Sequence, residues 1–84
     1  MPAAARKPAA GSLMRISQAA KAAGVSVQTV EYYVLLGLVR PVRPEGKPGR
    51  YFTGEHVKRI RLIRRLNTSG YTLRSIRETY LRKR

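Results

Sequence analysis

The apolar positions of this chain fall into short helical stripes interrupted by glycine. In "MRISQAAKAAGVS", the alanines at 19, 20, 22 and 23 favour a helix and Ser17 can cap it. Gly24 ends it, because glycine accepts the left-handed backbone found at helix C-termini. Ser26 can cap a second helix running to about Leu36, which Gly37 stops. Projected at ~100° per residue, Val27, Val30, Tyr33 and Val34 cluster on one arc, with Thr29 and Leu36 at its border. Gln28, Glu31, Tyr32 and Leu35 lie opposite, so Tyr33 is expected inside and Tyr32 outside. Two short helices joined by a tight Gly-containing turn form the helix-turn-helix pattern.

Residues 38–52 change character. Three prolines and two glycines forbid a helix. Val39 and Val42 on one side and Tyr51 and Phe52 on the other predict two short strands with a turn inside "PEGKPG", a small β-hairpin or wing. "TGEHVKRIRLIRRLNTSG" predicts a third helix, capped by Thr53, with Glu55 complementing its N-terminal dipole. Val57, Ile60, Ile63 and Leu66 form its apolar side, with Leu62 at the margin. Lys58, Arg61 and Arg65 lie on the other, with Arg64 near them. Thr72 caps a fourth helix in which Leu73, Ile76 and Tyr80 make a stripe at i, i+3, i+7. The expected domain is 14–84, and residues 1–13 read as a disordered basic tail, in which Arg6 and Lys7 can act as an arm reaching DNA.

Charge narrows the function. Eighteen Lys and Arg face four Glu and no Asp, a net charge of +14. That balance points to a phosphate-rich partner, and less to an anionic membrane surface. The absence of cysteine removes disulfides, thiolate metal sites and thiol nucleophiles. One histidine, His56, cannot build a metal site alone and reads as a surface or wing-packing residue. There is no carboxylate pair, no nucleophile–base set and no phosphate loop, so neither catalysis nor a cofactor is expected. No apolar run reaches the ~20 residues of a membrane span, and no secretory signal begins the chain. The expected location is the cytoplasm, on the nucleoid.

In a helix-turn-helix the outward face of the second helix, residues 26–36, enters the major groove. Ser26, Gln28, Glu31 and Tyr32 then face the bases. Gln28 can bond adenine N6 and N7, and Tyr32 can reach a phosphate or stack on sugar. Glu31 either accepts from cytosine N4, or pairs with a nearby Arg and orients it, or is simply solvated. Arg15, Arg40, Arg43, Lys47, Arg50, Tyr51, Lys58, Arg61 and Arg65 are candidate phosphate contacts, which supply affinity without sequence information. Arg59 projects to the apolar side and reads as a snorkelling or buried-pair residue, not a DNA contact.

"RISQAAKAAGVSVQTVEYYVLLGLVRP" followed by "GRYFTGEHVKRIRLIRRLNTSGYTLRSI" resembles the DNA-binding domain of MerR-type transcriptional regulators. The resemblance covers residues 14 to about 82. It rests on the AGVS turn, the T-x-x-Y-Y segment, the Gly-Leu step into the wing, the Gly-Arg-x-aromatic strand and the Gly-aromatic-Thr-Leu-x-x-Ile end. It implies a mostly α, winged helix-turn-helix of four short helices with a small β-hairpin wing. It also implies that Gln28 and Tyr32 are recognition-helix contacts and Arg50 a wing contact. The family usually carries Arg where this chain has Glu31, polar residues where it has Val34 and Leu35, and an apolar residue at Ser69. Leu35 on the outer face suits either a protein partner or a thymine methyl. The heptads of a dimerisation helix are missing before Arg84, and no effector pocket is expected in this chain. The expected function is sequence-specific binding of double-stranded DNA in transcription regulation. An architectural or excisionase-like DNA-bending factor, with copies binding side by side, is the alternative. An RNA-binding module is a weaker third, because Tyr33, Tyr71 and Tyr80 are expected inside and few rings remain for stacking.

Overall fold

A computed structural model describes residues 13–81, and the expected tail lies outside them except for Leu13. Four helices follow in order: α1 (Ile16–Ala23), α2 (Val27–Leu35), α3 (Gly54–Thr68) and α4 (Leu73–Ile76), the last continuing into a π-helical turn, Arg77–Leu81. α1 packs on both α2 and α3, and α4 packs on α3. This close approach is possible because α1 turns two alanines inward, Ala19 and Ala20, both buried. Val30, Tyr33, Ile60, Ile63 and Ile76 complete the helical part of the core. Each fully buried Val, Leu, Ile or Phe side chain contributes roughly 1.5–3 kcal/mol.

Three helices end in the same way. After α1, the Val25 N–H donates to Ala20 O at 3.0 Å and the Gly24 N–H to Lys21 O at 3.1 Å. This double closure is a Schellman motif, and it needs the left-handed φ of 76° that Gly24 adopts. Gly37 closes α2 with the same pair of bonds, Leu38 N–H to Tyr33 O and Gly37 N–H to Val34 O. Tyr71 and Gly70 repeat it behind α3. In two of the three the residue after glycine packs inward: Leu38 is buried and Val25 is partly buried against the core. Tyr71, expected inside, is 44% exposed. It sits in the turn between α3 and α4, where Asn67 Nδ2 donates to its carbonyl.

The N-termini differ in one place from expectation. α1 is entered through Arg15 and not Ser17, which falls inside the first turn. Gln18 reaches back, its Oε1 accepting from the Arg15 N–H at 3.0 Å. Ser26, Thr53 and Thr72 cap α2, α3 and α4 as the sequence predicts. Val27, placed on the core arc of α2, is 39% exposed. It is the first helical residue, and a helical side chain covers the turn before it, which here does not exist. The fourth helix is α-helical only to Ile76 and π-helical from there to Leu81, and the Tyr80 side chain lies outside the described residues.

The two strands expected within 38–52 do not form; among the described residues there are only isolated bridges, Val42 with Tyr51 and Met14 with Phe52. The first exchanges both its hydrogen bonds at 2.9 Å. A ladder would next pair residue 44 with 49 and residue 40 with 53. Pro44 has no N–H to give. On the other side the Thr53 N–H, which a ladder would aim at the Arg40 carbonyl, donates instead to His56 Nδ1 at 2.8 Å. The tip is a turn with Lys47 N–H on Pro44 O and Gly46 at φ 82°, the positive value a type II turn requires at its third position. The base of the segment belongs to the core, since Leu38, Val39 and Phe52 are buried.

His56 is therefore a capping residue, packed edge-on against Phe52 with ring centroids 5.8 Å apart. Burial pushes its pKa below the ordinary 6.5, a hydrogen bond to the Arg40 backbone opposes this, Arg59 adds to it and Glu55 opposes it. The unfolded chain consequently takes up the proton first as pH falls. The stability that the neutral ring contributes is complete above about pH 6.5 and is lost as pH drops toward the folded pKa. Urea unfolding should show a lower midpoint at about pH 5.5 than at about pH 7.5. His56→Gln, whose amide oxygen can still accept at this position, should remove most of that difference. A wild-type midpoint independent of pH across this window contradicts the assignment.

Candidate nucleic-acid interface

The outward face of α2 presents Gln28, Glu31, Tyr32 and Leu35, all exposed, with Tyr32 at 51% and Leu35 at 80%. Tyr33, the next residue, is 3% exposed, so the two tyrosines divide between surface and core as their helical phase predicts. Burial raises the Tyr33 pKa, with Arg64 opposing it, which keeps the phenol neutral. Ser26 stands at the entrance to the helix. Its Oγ accepts from the Thr29 N–H at 3.1 Å and lies 2.9 Å from the Thr29 hydroxyl. The serine hydroxyl is thus engaged in capping while remaining on the surface.

Glu31 is joined to Arg50. The Arg50 Nη2 donates to Glu31 Oε2 at 2.9 Å, and the two side chains are 28% and 48% exposed. This pair ties the face of α2 to the end of the segment that precedes α3. Beside it, Tyr51 collects two cations. The Arg15 Nη1 donates to the Tyr51 hydroxyl at 2.8 Å, and its guanidinium carbon lies 5.1 Å from the ring centroid. The Lys47 ammonium lies 5.3 Å from the same centroid. Attraction between a cation and an aromatic face holds both long side chains in a defined place. Five of the expected site residues thus have specific partners, in two sets: Glu31 with Arg50, and Arg15 and Lys47 with Tyr51.

The other expected cations make none of these contacts. Arg40 and Arg43 are exposed on the segment before the turn, and Arg61 and Arg65 on α3. Lys58 faces Glu55 at 3.7 Å within its own helix. Arg59 donates from Nε to the Leu38 carbonyl at 2.7 Å, so it fastens α3 to the base of the 38–52 segment. The residue stays exposed and its partner is a backbone carbonyl, not the buried ion pair expected as one alternative. Among the described residues Glu31, Glu55 and Glu78 each hold one cation, which leaves most Lys and Arg without a carboxylate partner. The stacking of Arg15 on Tyr51 joins residues 36 apart in sequence, and no local spacing signals it. No group of three metal-ligating side chains occurs among the described residues, and no helix there is long and apolar enough to cross a membrane.

Residues 14–83 match the family model described as MerR HTH family regulatory protein. The chain is 32% identical over 65 residues to the HTH-type transcriptional regulator HmrR of Sinorhizobium medicae, covering 77% of this chain and 44% of that protein. It is 38% identical over 63 residues to the mercuric resistance operon regulatory protein of Bacillus cereus, covering 74% and 47%. It is 31% identical over 65 residues to the HTH-type transcriptional regulator AdhR of Bacillus subtilis, covering 77% and 46%. The chain spans less than half the length of these curated relatives.

The Glu31–Arg50 pair is half-exposed, so its screening by water leaves little stability at stake. Glu31→Gln and Arg50→Gln should each change the free energy of unfolding by less than about 1 kcal/mol. Urea titration checks this, and a larger loss would make the pair a structural element.

Proposed function

The chain belongs to the MerR helix-turn-helix family of regulatory proteins, and from that premise we propose that it binds double-stranded DNA through α2 and regulates transcription. In this reading α2 lies in the major groove with Gln28, Glu31 and Tyr32 toward the base edges. The 38–52 segment acts as a wing, although bridged and not stranded, and Lys47, Tyr51 and Arg15 grip one stretch of backbone beside the groove. Arg40, Arg43, Lys58, Arg61 and Arg65 extend the cationic surface along neighbouring phosphates. The observation that carries the reading is the Glu31–Arg50 bond, which ties the polar α2 face to the segment whose next residue, Tyr51, holds Arg15 and Lys47. Hydrogen-bonding side chains that can address bases stand next to cations that can address phosphates, the division of labour that DNA interfaces use.

Two further elements belong to the same proposal. The protein works without catalysis, cofactor or metal, and its location is the cytoplasm, on the nucleoid. Association of copies would run through the DNA itself or through the 38–52 segment, and the exposed Leu35 would serve a protein partner.

Binding should fall steeply with salt. Arg61→Ala and Arg65→Ala should each weaken binding to all duplexes alike and flatten the plot of log affinity against log salt by about 0.9. Fluorescence anisotropy at several salt concentrations measures this, and unchanged slopes in both variants would remove α3 from the interface. Gln28→Ala should instead alter the consensus selected from random duplexes, with a smaller loss of bulk affinity. An unchanged consensus contradicts placement of α2 in the groove. Footprinting separates the regulatory reading from side-by-side binding: one bounded site supports the former, and protection that spreads with concentration supports a DNA-bending factor.

A further inference from the structure

The Glu31–Arg50 pair is neutral at a place where a surface meeting phosphates would gain from a free cation. A guanidinium that served only to neutralise phosphate would lose most of its long-range attraction by holding a carboxylate at 2.9 Å. What pairing leaves intact is directional hydrogen bonding. Arg50 has five N–H donors, and the contact with Glu31 uses one of them, on Nη2. Whichever Nη2 hydrogen is taken, a two-donor edge stays free, either Nη1 with Nη2 or Nε with Nη2. Such an edge matches O6 and N7 of guanine.

Position supports the same conclusion. Glu31 follows Gln28 by three residues, so one turn of α2 brings both to the same face, with Tyr32 beside them. Anchoring Arg50 to Glu31 carries a guanidinium from the segment before α3 onto the side of α2 that also presents Gln28. The arrangement also accounts for a carboxylate on a surface otherwise rich in cations. Unpaired, Glu31 would be repelled by the phosphates lining a groove; paired, it presents no net charge.

We propose that Glu31 and Arg50 form one reading unit, in which Arg50 recognises a guanine through O6 and N7 and Glu31 is the positioning residue that fixes the guanidinium. The inference rests on placing α2 in the major groove. It moves Arg50 from the backbone contacts to the base contacts and gives Glu31 a role without a base of its own.

Selection from random duplexes, combined with salt titration, tests it on the whole chain. The wild type should select a guanine at one fixed position beside the base governed by Gln28. The double variant Arg50→Ala/Glu31→Gln removes both charges together. It should lose preference for that guanine by roughly 5- to 150-fold, the range of one bidentate contact, while keeping the other positions and its salt slope. Glu31→Gln alone frees Arg50, so the guanine preference should weaken and the slope should steepen by up to about 0.9. Equal thermal midpoints would show that these changes are not failures of folding. A double variant that selects the wild-type consensus overturns the inference alone. So does one that weakens on every duplex equally with a slope flattened by about 0.9, since Arg50 would then be a phosphate contact. A wild-type chain that selects no consensus overturns the major-groove placement, and this inference with it.

Discussion

Phe52 is the junction on which the molecule depends. Its ring is fully buried, and its backbone exchanges two 2.8 Å hydrogen bonds with Met14. Those bonds fix the entry to α1 against the entry to α3. Because successive residues of extended chain point to opposite sides, burying Phe52 turns Tyr51 the other way, where Arg15 and Lys47 meet it. The residue before Tyr51, Arg50, is tied separately to Glu31 on α2. The core position of one aromatic ring thus sets the positions of the groups that would meet a nucleic acid. His56 and Arg59 reinforce the junction, one by capping α3 against Phe52 and the other by holding the Leu38 carbonyl.

The charge distribution follows from this frame. A chain with a net charge of +14 must keep most of its cations in water and near one another, which costs stability through mutual repulsion. Twelve buried apolar residues oppose that repulsion, a lean core for the described domain. Repulsion is relieved locally where a cation is given a specific partner: Arg15 a phenol and a ring face, Arg50 a carboxylate, Arg59 a backbone carbonyl. These partners do not erase the positive field. They fix side chains that would otherwise lose rotamer freedom on binding, and ordered donors lose less entropy when a ligand arrives.

Helix positions were legible in the sequence because their signals are local. Ser26, Thr53 and Thr72 bond to backbone N–H groups within their own helices, and Gly24, Gly37 and Gly70 close helices by bonds spanning a few residues. The separation of Tyr32 from Tyr33 needed only helical phase. Failures occur where a distant group decides. Strand propensity at Val39, Val42, Tyr51 and Phe52 could not reveal that His56 would take the Thr53 N–H and stop the ladder. The choice of Arg15 over Ser17 as the entry to α1 is made together with the Met14–Phe52 pairing. Likewise the sequence leaves Glu31 with three readings. Its partner lies 19 residues away, and only folding brings Arg50 to it.

The central claim is that α2 and the Arg15–Lys47–Arg50–Tyr51 group form one DNA-facing surface. Nitrogen-labelled NMR spectra of the whole chain, recorded as a duplex bearing the selected consensus is added, test it most directly. The account predicts that the shifts concentrate on residues 26–35 and 47–51, together with the side-chain signals of Gln28 and Arg50. Shifts confined to the outer sides of α3 and α4, with the α2 face unmoved, would contradict it.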